Sequence, residues 1–259
     1  MSFRILKHAL GLIVENFPMA VRITLLPWLF MTFASYATNV VVYGDVLVLP
    51  GMEADPEQGI FTALLPIFNF VLTIAISIWI IVGWHRFILR NEISYVYWPE
   101  WRGDVTMDYF VRAFFVWLVL IILIVSYAVL GATLLGEDKF SPMYFGGSPI
   151  SFLVFTTGFS GLFMYVSLRI SLGLPAASVG DTMYIKESWI VTKPYNREIF
   201  AISIILALAY LPATLITLNY NDVLALVLLV QVLGALHVLL SVTVLTTLYG
   251  VLKEGRELS

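Results

Sequence analysis

Six apolar stretches, each long enough to cross a bilayer, dominate this chain of 259 residues. They run from about Ala20 to Tyr43, Phe61 to Leu89, Tyr109 to Leu135, Ile150 to Leu172, Ile199 to Leu218 and Val223 to Leu252. A hydrocarbon core about 30 Å thick requires roughly 20 such residues per helix. The chain between the stretches is too short and too poor in charge to cover them: 12% of residues are charged, against about 25% in soluble domains. A transmembrane β-barrel would alternate polar and apolar residues in short segments, and no such alternation is present. The pattern predicts an all-α polytopic membrane protein, a single membrane domain over residues 1–259 with six transmembrane helices.

The basic residues set the orientation. Arg4, Lys7 and Arg22 precede or open the first stretch; Arg86, Arg90, Arg102 and Arg112 lie around the second loop; Arg169, Lys186, Lys193 and Arg197 lie around the fourth; Lys253 and Arg256 close the chain. Thirteen of the 14 Lys and Arg residues thus share one side, with Lys139 alone opposite. The other side carries Asp45, Glu53, Asp55, Glu57, Glu137, Asp138 and Asp222 in short loops. This reading places both termini in the cytoplasm.

Two amphipathic helices are expected on the cytoplasmic face. In residues 2–17, Phe3, Leu6, Leu10, Ile13 and Phe17 recur at helical spacing with Arg4, Lys7, His8 and Glu15 between them. Such a segment lies in the interface rather than crossing it, and Pro18 separates it from the first span. A cleaved signal peptide is the rival reading, but its basic region would be too long and the apolar run continues through Val40-Val41-Val42. Before the fifth span, Met183, Tyr184, Trp189 and Ile190 can form an apolar side opposite Asp181, Lys186, Glu187 and Lys193. Pro175 between Gly173 and Gly180 reads as the bend leading into that helix. Arg22-Ile23-Thr24-Leu25-Leu26-Pro27 echoes Arg169-Ile170-Ser171-Leu172-Gly173-Leu174-Pro175, which reads as parallel use of a membrane boundary or as an internal repeat.

Two segments carry a family resemblance: Trp84-His85-Arg86-Phe87-Ile88-Leu89 with Glu92, and Arg169 to Leu172 with Leu174-Pro175-Ala176-Ala177, Val179-Gly180-Asp181, Glu187-Ser188-Trp189 and Thr192. Together they resemble uncharacterised bacterial six-helix inner-membrane proteins. That group is similar in turn to the membrane domain of some glycerophosphodiester phosphodiesterases and to YciC-like proteins. The resemblance implies fold and inner-membrane location, and it carries over no catalytic residue.

On physical grounds Trp84, Trp98 and Trp101, with Tyr95 and Tyr97, suit the headgroup layer, where rings are half wet. Arg86, Arg90 and Arg169 sit where they can reach lipid phosphates as anchors. His237, near the middle of the sixth span with no charge within twelve residues, is the candidate for cofactor ligation, proton relay or interhelical hydrogen bonding. A neutral packing residue is the preferred reading, because a haem usually takes a pair of residues from facing helices. Asn39, Asn69 and Gln231 are expected to bond between helices.

The chain has no cysteine, which excludes disulfides, thiolate nucleophiles and iron–sulfur clusters. Its net charge of -3 argues against nucleic acid as a partner. No metal-ligand set, serine triad or phosphate loop is legible, so no cofactor and no enzymatic activity are expected. The expected function is that of a non-catalytic accessory, assembly or scaffold subunit, in contact with lipid and other membrane subunits. The alternative is a small transporter or channel-like protein.

Overall fold

Apolar periodicity becomes helix almost throughout. The computed structural model of the protein describes residues 1–47, 59–92, 100–135, 149–220 and 222–258. Among them are nine α-helices and no strand. They are α1 (Ser2–Glu15), α2 (Phe17–Tyr43), α3 (Gly59–Arg90), α4 (Gly103–Leu135), α5 (Pro149–Ile170), α6 (Gly173–Ser178), α7 (Ile185–Thr192), α8 (Asn196–Asn219) and α9 (Leu224–Leu252), with a 3-10 turn at Lys193–Tyr195 before α8. The all-α membrane fold is therefore as expected, and the six long helices lie where the six apolar stretches do. Five segments are long and apolar enough to cross a membrane, with a shorter apolar helix at Val154–Ile170 within α5. Pro27, Pro66 and Pro212 lie inside α2, α3 and α8, which continue through them. The acidic loop residues Glu53, Asp55, Glu57, Glu137 and Asp138, as well as Lys139, lie outside the described residues.

The chain turns from α1 into α2 at Asn16, and Pro18 sits in the first turn of α2, where a missing N–H costs nothing. α1 has three faces. Ile5, Leu6 and Ala9 are buried in the largest core cluster, beside Leu206 of α8 and Val244 and Leu248 of α9. Full burial of an Ile or Leu contributes about 1.5–3 kcal/mol relative to exposure to water. Phe3, Leu10 and Val14 form a second apolar stripe that stays exposed, continued by Phe17 at the head of α2. Arg4 and Glu15 take the remaining side. The sequence reading placed Leu6 on the lipid stripe; in the fold it turns into the protein.

All six long helices bring one end to the same end of the molecule. The Arg4 guanidinium donates to the Leu258 carbonyl at 3.3 Å, so the N-terminal helix touches the C-terminal tail. Arg256 donates to the Ile88 and Leu89 carbonyls at the end of α3. The Arg169 guanidinium at the end of α5 donates to Asn196 Oδ1 at the start of α8. Tyr249 near the end of α9 donates to Asp181 Oδ2 at 2.9 Å.

Between α5 and α7 the chain does more than bend. Gly173–Ser178 forms a helix of its own, α6, whose Pro175, Ala176, Ala177 and Ser178 are buried. A Cβ on Gly173 would stand 2.5 Å from the Met183 carbonyl oxygen, so only glycine lets the two ends of this hairpin meet. Met183 is buried in the core while Tyr184, Trp189 and Ile190 are exposed. The single apolar side expected for these four residues is therefore split. Met183 faces protein, and the other three face outward.

Candidate functional site

Helix ends leave carbonyl oxygens without intrahelical partners. At the basic end of this bundle, arginines supply many of the missing donors. Arg112 of α4 donates through Nη1 to the carbonyls of Asp181 (2.9 Å), Gly173 (3.3 Å) and Met183 (3.3 Å), bracing the α6 hairpin from both sides. Its Nε and Nη2 pair with Asp108 one turn earlier, at 3.2 and 2.5 Å. Arg86 of α3 donates to the Ser178 carbonyl at 2.6 Å, just where α6 ends, and grips the Glu92 carboxylate with its other edge. Arg90 pairs with Glu254 at 2.9 Å.

Arg169 is the most enclosed cation in this network. It is 2% exposed, and it donates to Thr192 Oγ1 (3.2 Å), Tyr165 Oη (3.0 Å), the Trp189 carbonyl (2.9 Å) and Asn196 Oδ1. Its guanidinium carbon lies 3.7 Å from the centre of the Trp189 ring. All of these partners are neutral. The charge is offset by the ring's quadrupole and by the negative end of α5, whose last turn contains Arg169. The Arg169 carbonyl in turn accepts from Ser188 Oγ at 2.7 Å, tying α7 to α5.

These contacts correct the anchor assignments. Arg169 faces the protein interior, not lipid phosphates, because its donors meet carbonyl, hydroxyl and amide oxygens there. Trp84 is 1% exposed; its indole N–H donates to Thr243 Oγ1 at 2.9 Å, so it is a core residue and not a headgroup anchor. Arg86 is largely engaged within the fold. Arg90 is partly exposed, and Trp101 is exposed, with its ring edge-on to Trp79 at 6.0 Å. Trp98, Tyr95 and Tyr97 lie outside the described residues.

The seam between α3 and α9 is polar. Trp84 and its neighbour His85 each meet a threonine of α9: His85 Nδ1 lies 2.7 Å from Thr246 Oγ1. Both threonines already donate their hydroxyl protons one turn back along α9, Thr243 to Leu239 and Thr246 to Val242. Thr246 must therefore accept, which puts the imidazole proton on Nδ1 and leaves Nε2 as a lone pair. That Nε2 is buried with no hydrogen-bond partner, and the ring packs 5.9 Å from Tyr109 of α4. The fully buried histidine is thus His85, not the His237 singled out from the sequence. His237 is half-buried and packs against Tyr210 of α8 at 5.0 Å. Among the described residues no group of three or more His, Cys, Asp or Glu side chains is placed to hold a metal.

The cavities between the long helices, among the described residues, include two of note. The larger, about 480 Å³, runs between α2, α3 and α9, from Phe17, Trp84 and Val242 to Met31, Ser77 and Val232. The smaller, about 300 Å³, lies toward the opposite end, beside Tyr36, Asn39, Thr217, Tyr220 and Gln231. Two of the three amides expected to bond between helices do so. Gln231 donates to Tyr36 Oη at 2.9 Å, and Asn69 donates to Ser35 Oγ at 3.2 Å. Asn39 instead donates to the Val46 carbonyl beyond its own helix.

No family model, curated protein or solved structure matches the chain, and the resemblance to YciC-like proteins gains no support from these comparisons.

Proposed function

We propose that this protein crosses the bacterial inner membrane six times with both ends in the cytoplasm, and that it serves there as a non-catalytic accessory, assembly or scaffold subunit. The contact between Arg4 and Leu258 supports the even number of crossings, since it brings the two chain ends together. Five helices meet the length and hydropathy needed for a span. α5, with 22 residues, extends about 33 Å at 1.5 Å per residue, enough for a core of about 30 Å. The basic asymmetry supports the cytoplasmic placement of the ends.

The observation that carries the subunit reading is the engagement of the cations. Arg86, Arg112, Arg169 and Arg256 are bonded to backbone or side-chain oxygens of the fold itself. A transport pathway usually presents ionisable groups to a cavity between helices; here the larger cavity has an apolar lining. What the bundle offers outward is a broad aromatic face on α4, where Phe110, Phe114, Phe115 and Trp117 are exposed. Aromatic residues are enriched at protein interfaces. Affinity purification in mild detergent is expected to return one further polypeptide in fixed ratio, lost in a Phe114→Ala, Trp117→Ala double variant. Recovery of the wild-type chain as an isolated monomer contradicts the reading.

A further inference from the structure

We propose that the groove between α2, α3 and α9 is a binding site for one acyl chain of a phospholipid in the leaflet that meets the basic end of the bundle. The inference rests only on the membrane reading of the helices and not on the subunit role. The groove's length carries it first. Its α2 wall extends from Phe17 to Met31 and its α9 wall from Val242 to Val232, which correspond to roughly 21 and 15 Å at 1.5 Å per residue. Half of a hydrocarbon core is about 15 Å. The groove therefore has the depth of a single leaflet, starting at the level of α1 and ending near mid-membrane.

The chemistry of the walls points the same way. Three of the four polar-bearing side chains on the lining are occupied internally: Thr24 Oγ1 donates to the Ala20 carbonyl, Ser77 donates to Met31 Sδ, and the Trp84 indole donates to Thr243. These groups are already engaged, so the surface suits hydrocarbon rather than a polar solute. Size separates an acyl chain from a partner helix. The groove's volume of about 480 Å³ suits a single hydrocarbon chain, whereas a helix about 10 Å across would leave most of its girth outside it. The site is also continuous with lipid-facing surface. Phe17, which opens the groove, follows directly on the exposed stripe of Phe3, Leu10 and Val14 along α1. A phospholipid whose headgroup lies beside α1 can thus send one chain down between the three helices.

The test is native mass spectrometry of the whole chain purified in mild detergent and mixed with a phosphatidylethanolamine of defined chain length. Wild type is expected to retain one lipid per chain under activation that strips lipid from the rest of the surface. Ala235→Phe, which fills the groove from α9, is expected to lower the retained fraction at least tenfold. Val232→Phe, at the deep end, serves where Ala235→Phe fails to fold, with monodisperse elution as the criterion. Val119→Phe on the exposed face of α4 is expected to leave retention unchanged. Retention that is equal in wild type and both groove variants overturns the proposal. So does a wild-type protein that holds no lipid, or one in which a co-purified polypeptide crosslinks to the groove residues in its place.

Discussion

The two ends of this helical bundle are built differently. In α9 every residue from Thr243 to Gly250 is buried, and none from Leu224 to Val242 is. α3 repeats the contrast: Val82, Trp84, His85 and Leu89 are buried near its end, while Leu64, Ile67, Phe68 and Val71 are exposed near its beginning. In α4 the order is reversed along the chain but the same in space. Tyr109, Ala113 and Val116 are buried, and Ile122, Val125 and Val129 are exposed. Inside lipid, apolar side chains gain little by leaving one hydrocarbon for another, so helices there associate through close packing and scattered hydrogen bonds. At the basic end, water and unpaired carbonyls make burial and side-chain donors favourable, and the fold concentrates both there. The basic end specifies the structure, and the opposite half follows from it.

The largest expected effect comes from removing the cation at the centre of that end. Arg169→Ala breaks four donor contacts and leaves Asn196, Thr192 and the Trp189 carbonyl to be satisfied anew. Hydrogen bonds to charged groups contribute about 1.5–3 kcal/mol each, so a loss of more than about 3 kcal/mol is expected, read as thermal unfolding in detergent. Arg169→Lys keeps the charge but loses the fork and is expected to recover only part of it. A wild-type melting curve for Arg169→Ala would break the comparison at its root.

A glycine pair sharpens it further. Gly173→Ala drives a Cβ into the Met183 carbonyl, and overpacking of this kind costs about 1–3 kcal/mol. Gly158 of α5 has nothing within 4 Å of the Cβ position. Gly158→Ala is therefore expected to be neutral, or stabilising by up to about 1 kcal/mol through helix propensity. Parallel melts of the two variants check this.

The smallest contrast concerns hydrogen bonds of similar geometry in the two regions. Thr243→Val strands the buried Trp84 N–H, at a cost of about 1–3 kcal/mol. Gln231→Leu removes a bond of the same 2.9 Å length to Tyr36 in the other half, where the average in membrane proteins is about 0.6 kcal/mol. Equal losses would show that the two ends do not differ in the way burial indicates.

Much of this architecture is legible in the sequence, and the part that is not has a physical reason. Apolar length and basic asymmetry depend on composition along the chain, so the six helices and α1 emerge at nearly their observed bounds. Which side of a helix meets protein is not encoded when the helix is apolar all round, and that is why Trp84 and Arg169 read as lipid anchors although both are buried. α6 is six residues long and is held by Arg86 and Arg112 from distant helices, so its sequence reads only as a bend. A signal for the α3–α9 seam was present in the spacing of Thr243, Thr246 and Thr247, three hydroxyls in the last turns of an apolar helix. Their spacing fits one face, and Thr243 and Thr246 meet the adjacent Trp84 and His85.

The central claim is that the basic end is the cytoplasmic end of a six-span bundle. The chain has no cysteine, so single cysteines introduced at exposed positions report the side directly. Lys7 and Lys253 are exposed at the basic end, and Asp45 and Asp222 are exposed at the other. With a membrane-impermeant maleimide applied to spheroplasts, Asp45→Cys and Asp222→Cys are expected to label in intact cells, and Lys7→Cys and Lys253→Cys only after lysis. Labelling of Lys7→Cys and Lys253→Cys from opposite sides, or of all four positions from the same side, would contradict the account.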